Sequence, residues 1–200
     1  MNFLAHIYLS QQLDDVAIGN FIADQLPNNK FDYFRPDIQI GIRLHRAIDT
    51  YTDKHPIVKA SKRRLHAKFS HYSGVIVDIL YDHFLAKNWS KYHDIPLDRF
   101  VQDFYNLLLD NQEIIPEETQ RLLPYMIRHN WLLSYAKIEG ISDILAQMNR
   151  RTKGRSKMHL ASLELEAYYD EFESEFTLFF KDLEGFSSET LETLKTQVHD

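Results

Sequence analysis

Between Pro36 and Asp53 the residues Ile38, Ile42, His45, Asp49 and Thr52 recur at three- and four-residue spacing. On a helix they share one face, so an apolar stripe turns into an imidazole and a carboxylate one turn apart. In GVIVDILYDHFLAKNW (74–89), Val75, Asp78, Asp82, Leu85 and Trp89 also share a face. That places two carboxylates four residues apart in an otherwise strongly apolar helix. Burying one carboxylate is expensive, and two close together force a proton onto one of them unless a cation intervenes. A divalent metal would supply that cation; a buried ion network with Arg43, Arg46 or Arg128 is the alternative. His83 adds a nitrogen about 100° around the same helix. Asn20 and Asp24 repeat the four-residue spacing earlier in the chain, and His6 lies in the apolar context of Phe3 and Ile7. Three helices therefore offer oxygen and nitrogen donors, with His6 on a fourth.

Each of these residues also has a purely structural reading. A histidine on an apolar face is commonly a hydrogen-bonded core residue, and His45 with Asp49 reads equally as a structural pair or a ligand pair. The chain contains no cysteine, which excludes disulfides, thiolate zinc sites, iron–sulfur clusters and a cysteine nucleophile. A metal here must sit on His, Asp, Glu or Asn, and a carboxylate-rich set suits Mn²⁺, Mg²⁺ or Fe²⁺ better than structural zinc. Such an ion acidifies water and neutralises charge on a phosphoryl oxygen, which are the two requirements of phosphodiester cleavage. A carboxylate or histidine beside it can act as general acid or base.

The elements that must position these groups read as helices throughout. Apolar residues recur at three- and four-residue intervals along nearly the whole chain, with little period-two alternation. The spacing predicts helices over 2–11, 14–26, 36–53, 57–71, 74–92, 97–111, 117–137, 141–149, 157–182 and 187–198. The prolines at 27, 36, 56, 96, 116 and 124 are expected near helix ends. In 157–182, the residues Ala161, Leu165, Tyr168, Phe172, Phe176 and Phe179 form a stripe that belongs to the core. RRTKGRSK (150–157) reads as a loop. The fold class is all-α, one multi-helix bundle spanning 1–200 as a single domain.

With 44% hydrophobic, 26% charged and 13% aromatic residues in 200, this is the balance of a folded soluble domain rather than a disordered chain. No apolar run approaches the roughly 20 residues a membrane span needs, and the start lacks the basic region of a signal peptide, so the expectation is a cytoplasmic protein without a membrane partner. A formal net charge of −6 argues against a general nucleic-acid binder. Cations nevertheless cluster twice, at Lys59, Lys62, Arg63, Arg64 and Lys68 and again from Arg150 to Lys157. Basic segments are commonly solvated surface, but these two could also meet an anionic ligand.

The opening MNFLAH, GNFIAD at 19–24, LHRAIDTYTD at 44–53, DILYDHFLAKNW at 78–89 and MNRR at 148–151 run in order across about three quarters of the chain. Together they resemble the acyl carrier protein phosphodiesterases, relatives of the HD-domain metal-dependent phosphohydrolases. The resemblance implies an HD-like helical fold and Mn²⁺- or Mg²⁺-dependent hydrolysis of the bond joining 4′-phosphopantetheine to a serine of holo acyl carrier protein. It also implies a constellation in which His6, Asp24, His45 and Asp82 hold metal and Asp49, Asp78 and His83 act in catalysis. Asn20, Arg46, Arg150 and Arg151 are the expected substrate contacts, since acyl carrier proteins are small, acidic and helical. Two other readings stand beside this one: an HD-like phosphohydrolase acting on a small nucleotide or other phosphoester, and a non-enzymatic helical binding protein.

Overall fold

The computed structural model describes residues 1–27 and 31–199, and among them every regular element is helical. The α-helices are α1 (Phe3–Leu9), α2 (Asp15–Ile22), α3 (Pro36–Lys54), α4 (Pro56–Phe69), α5 (Ser73–Lys87), α6 (Leu97–Asp110), α7 (Glu117–Arg128), α8 (Trp131–Ser134), α9 (Ile138–Arg151), α10 (Ala161–Ala167) and α11 (Tyr169–His199). Local chemistry sets most starts. The Asp14 carboxylate accepts from the amides of Val16 and Ala17 to cap α2, and Pro36 and Pro56 occupy first-turn positions whose missing N–H costs nothing.

Four boundaries depart from the sequence expectation. The helix expected over 117–137 breaks at Asn130, whose φ of 45° is left-handed, a conformation asparagine tolerates better than most residues. Pro124 lies inside α7 rather than at an end, where Gln120, four residues earlier, is exposed and leaves its carbonyl to water. Helix α9 continues through Arg151, so Arg150 and Arg151 sit in its last turn and not in a loop. The final helix starts at Tyr169 and runs unbroken for 31 residues past the break expected near 183–186. The interruption falls instead at Tyr168 (φ −127°, ψ 37°), so the aromatic stripe is divided between α10 and α11.

One hydrophobic core runs from Met1 to Leu191. Helix α5 passes through its centre, buried on almost every side from Ile76 to Ala86, which is why Asp82 and His83 are both enclosed although they point in different directions. Helix α11 lies along α3, α4 and α5 and contributes Phe172, Phe176, Phe179 and Phe180, all fully buried. Truncating any one of these rings to alanine would cost about 3–5 kcal/mol. The closest pairing is α2 on α3. A Cβ on Gly19 would lie 2.1 Å from the carbonyl oxygen of Ile38, and one on Gly41 would lie 2.1 Å from that of Val16. Only glycine at both positions lets these two backbones meet, and the contact carries Asn20 onto His45.

Candidate metal centre and adjoining cleft

His6 on α1, His45 and Asp49 on α3 and Asp24 in the 3₁₀ turn after α2 converge at one point. The His6 Nε2 lies 3.3 Å from Asp49 Oδ1. His45 Nε2 lies 3.2 Å from Asp49 Oδ2 and 3.1 Å from Asp24 Oδ1. The two imidazoles stack with centroids 4.0 Å apart and planes 18° from parallel. His6, His45 and Asp49 each offer a ligand atom within 4.8 Å of the others, a spacing that a single metal ion can bridge.

Asn20 dictates which ring nitrogens face the carboxylates. Its Nδ2 donates to the His6 carbonyl at 2.8 Å and to Ser10 Oγ at 3.0 Å, leaving Oδ1 to accept. The Nδ1–H of His6 donates to that oxygen at 2.8 Å, and the Nδ1–H of His45 donates to the Asn20 backbone carbonyl at 2.7 Å. With both Nδ1 protons committed, the Nε2 atom of either ring, when neutral, turns a lone pair toward a carboxylate oxygen. Such an arrangement repels unless a cation lies between, and anchoring of Nδ1 to oxygen is the usual support of a metal-ligating histidine. Two imidazole nitrogens with carboxylate oxygens and no sulfur form a donor set that can hold a divalent metal ion.

The electrostatics agree. Burial and the neighbouring His45 push His6 down to about 4. Burial opposes charge on His45 as well, but hydrogen bonds to Asp24 and Asp49 outweigh it and raise the ring to about 9. Burial would raise Asp49, yet its bonds to His45 and His6 hold it well below the usual carboxylate range; the bond to His45 likewise lowers Asp24. Without a metal, the proton on His45 therefore supplies positive charge between Asp24 and Asp49.

The other expected residues divide by position. Asp78 stands next to the cluster: the Met1 ammonium lies 3.2 Å from Asp78 Oδ1 and 4.0 Å from Asp49 Oδ1. Burial disfavours charge on this amine, and the three carboxylates of Asp78, Asp49 and Asp82 overcome that and raise it. Asp82 is turned to another task. Its Oδ2 accepts from the Leu4 amide at 2.8 Å, and its Oδ1 accepts from Asn2 and Ala5 at 3.3 Å each. It thus caps α1 from across the core, with burial pushing its carboxyl up to about 7. The two carboxylates of α5 thus meet different partners, and neither Arg43, Arg46 nor Arg128 pairs with them among the described residues. His83 faces away, with Nδ1 at 2.8 Å from the Tyr135 carbonyl and Nε2 at 3.0 Å from Tyr169 Oη. Arg46 lies over the Phe31 ring at 4.6 Å, and Asn20 is buried behind the histidines rather than open to a ligand.

A cleft of about 260 Å³ opens beside the cluster. Its polar wall is Asp24, Asp78 and Arg151, and its apolar wall is Phe3, Val75, Trp131, Ile144 and Met148. Arg150 is exposed nearby in the same helical turn. A larger cleft of about 700 Å³ between Tyr33 and Ile114 holds none of these groups. Sequence reasoning missed the apolar wall, whose residues come from α1, α5, α8 and α9 with no shared periodicity. It singled out Asn20 by its spacing to Asp24 but as a substrate contact, and missed it as the anchor of both rings.

Residues 1–183 match the family model described as acyl carrier protein phosphodiesterase. The chain is 32% identical over 183 residues to the acyl carrier protein phosphodiesterase of Photorhabdus laumondii subsp. laumondii, covering 90% of this chain and 91% of that protein. It is 33% identical over 181 residues to the protein of that name from Pectobacterium atrosepticum, with coverages of 90% and 94%. For that from Escherichia coli O139:H28 the identity is 30% over 184 residues, again covering 90% and 94%. No solved structure matches the chain.

Proposed function

The chain belongs to the acyl carrier protein phosphodiesterase family, and from that premise we propose that it hydrolyses holo acyl carrier protein to the apo protein and 4′-phosphopantetheine. The observation that carries the reading is the pair of anchored histidines whose Nε2 atoms converge with Asp24 and Asp49, beside a cleft that Asp24, Asp78 and Arg151 line. His6, His45 and Asp49 would hold the metal with Asp24 beside them, so Asp49 joins the ligand set rather than acting alone in catalysis. Mn²⁺ is the ion proposed, and when bound it supplies Lewis-acid polarisation of a phosphoryl oxygen and acidifies water.

The residues of the chain divide the remaining work. Asn20 fixes both ring tautomers. Arg151 orients the phosphodiester through charge-assisted hydrogen bonds, which a guanidinium provides in planar pairs. Asp78, half-buried on the cleft wall, is the group available to move a proton to or from a reacting oxygen. The apolar wall excludes water from one side. Asp82 and His83 hold α1 and the α8 region in place around the site. The whole chain acts as one HD-like helical domain in the cytoplasm. Among the described residues no helix is long and apolar enough to cross a membrane.

Intact-mass spectrometry of holo acyl carrier protein incubated with the protein and Mn²⁺ tests this reading. Loss of the phosphopantetheine mass is expected with Mn²⁺, and neither with EDTA nor with Asp24→Ala. Full activity of Asp24→Ala would refute the site, and an intact holo protein would refute the substrate.

A further inference from the structure

Helix α4 reads PIVKASKRRLHAKF and contains no acidic residue, in a chain whose formal net charge is −6. Its inner face is committed: Val58, Ser61, Leu65 and Phe69 are buried, Arg64 pairs with Glu175 and Lys68 with Glu164. Its outer face gathers Lys59, Lys62, Arg63 and His66 at one-turn spacing around a shallow cleft of about 240 Å³ that no carboxylate lines. Only Lys62 of these four has an ion-pair partner among the described residues, Asp53 at 2.6 Å. Lys59 and Arg63 present unneutralised charge to solvent.

The position of this face matters as much as its charge. Asp53 is one turn beyond the ligand Asp49 on α3. The Lys62 side chain passes within 3.5 Å of where a Cβ on Gly74 would stand, and the next residue, Val75, is exposed and lines the cleft beside the metal centre. Arg151 lines the same cleft, with Arg150 exposed beside it in the last turn of α9. Arg151 thus borders the cleft directly, and α4 approaches it through Lys62 and Gly74.

Resting on the proposed reaction, we infer that the outer face of α4 is the docking surface for the protein portion of the substrate, receiving an acidic helical face of the carrier. A row of cations at helical spacing complements carboxylates at the same spacing on a partner helix, and such patches act chiefly on encounter and orientation. The strongly negative remainder of this chain disfavours an extended polyanion such as duplex DNA, which would have to lie beyond the patch.

The test is the double reversal Lys59→Glu, Arg63→Glu in the full chain, with unchanged thermal melting as the control for folding. With holo carrier protein the KM is expected to rise roughly tenfold or more at unchanged kcat. Mn²⁺-dependent hydrolysis of bis(4-nitrophenyl) phosphate, which has no protein portion, should stay at the wild-type rate. Added NaCl should raise the wild-type KM and leave that of the variant nearly flat. Titration calorimetry with apo carrier protein separates this inference from the reaction itself. Binding by wild type that the reversal weakens about tenfold supports docking even if holo carrier is not cleaved. Equal binding by both proteins, no binding by wild type, or binding of duplex DNA but not carrier at α4 overturns it.

Discussion

At the residue scale the site is decided by who holds which proton. His6 and His45 both sit among apolar residues, yet one is driven down to about 4 and the other up to about 9. The difference is that His45 faces two carboxylates and His6 shares one of them. A metal must displace the Nε2 proton of His45, while His6 already offers a free nitrogen near neutral pH. Mn²⁺ affinity is therefore expected to rise about tenfold per pH unit between about pH 6.5 and 8.5, with about one proton released per ion. Calorimetric titrations in buffers of different ionisation enthalpy read both quantities; a pH-independent affinity would mean that His45 is not a ligand. His6, Asp24, His45 and Asp49 were legible in the sequence as polar groups on apolar faces. Asp82 had the same signature and proves to cap α1, because an inward carboxylate reports burial and not the partner it will meet.

At the element scale, the contact between α2 and α3 brings Asn20 to His45. Gly41→Ala would set a methyl 2.1 Å from the Val16 carbonyl oxygen, and since both sides are helical backbone the helices must separate. The expected cost is about 1–3 kcal/mol, together with weakened Mn²⁺ binding as the 2.7 Å bond from His45 to the Asn20 carbonyl is stretched. Gly185→Ala is the contrasting case, with no atom within 4 Å of the added carbon, inside a continuous helix. It should stabilise the protein by up to about 1 kcal/mol without altering metal binding. Urea unfolding midpoints and metal titrations of both variants check the pair; a Gly41→Ala protein of wild-type stability would refute the close-contact account. Periodicity placed most helices but misjudged breaks at Asn130 and Tyr168. A turn taken up by one left-handed or one non-helical residue leaves almost no mark on an apolar repeat.

Across the whole molecule, metal binding and stability are linked through His45. Its folded-state value lies above the ordinary 6.5, so its contribution to the metal-free protein is fully present below that pH and is lost as pH rises through about 9. The metal-loaded protein has no such proton to lose. Melting experiments should therefore show metal-free protein weakening from pH 7 to pH 9 while the Mn²⁺-loaded form holds, the stabilisation by Mn²⁺ growing across that window. A constant difference between the two forms would sever the link. The helical class was readable from the sequence alone because 3.6-residue periodicity is a local property of consecutive residues. The family was readable because short motifs survive in order along the chain. Tertiary structure alone decided which inward carboxylate meets an imidazole, which caps a helix and which faces the cleft. A helix pattern orients side chains about its own axis, whereas a metal centre, a cleft wall or a docking face exists only where separate axes cross.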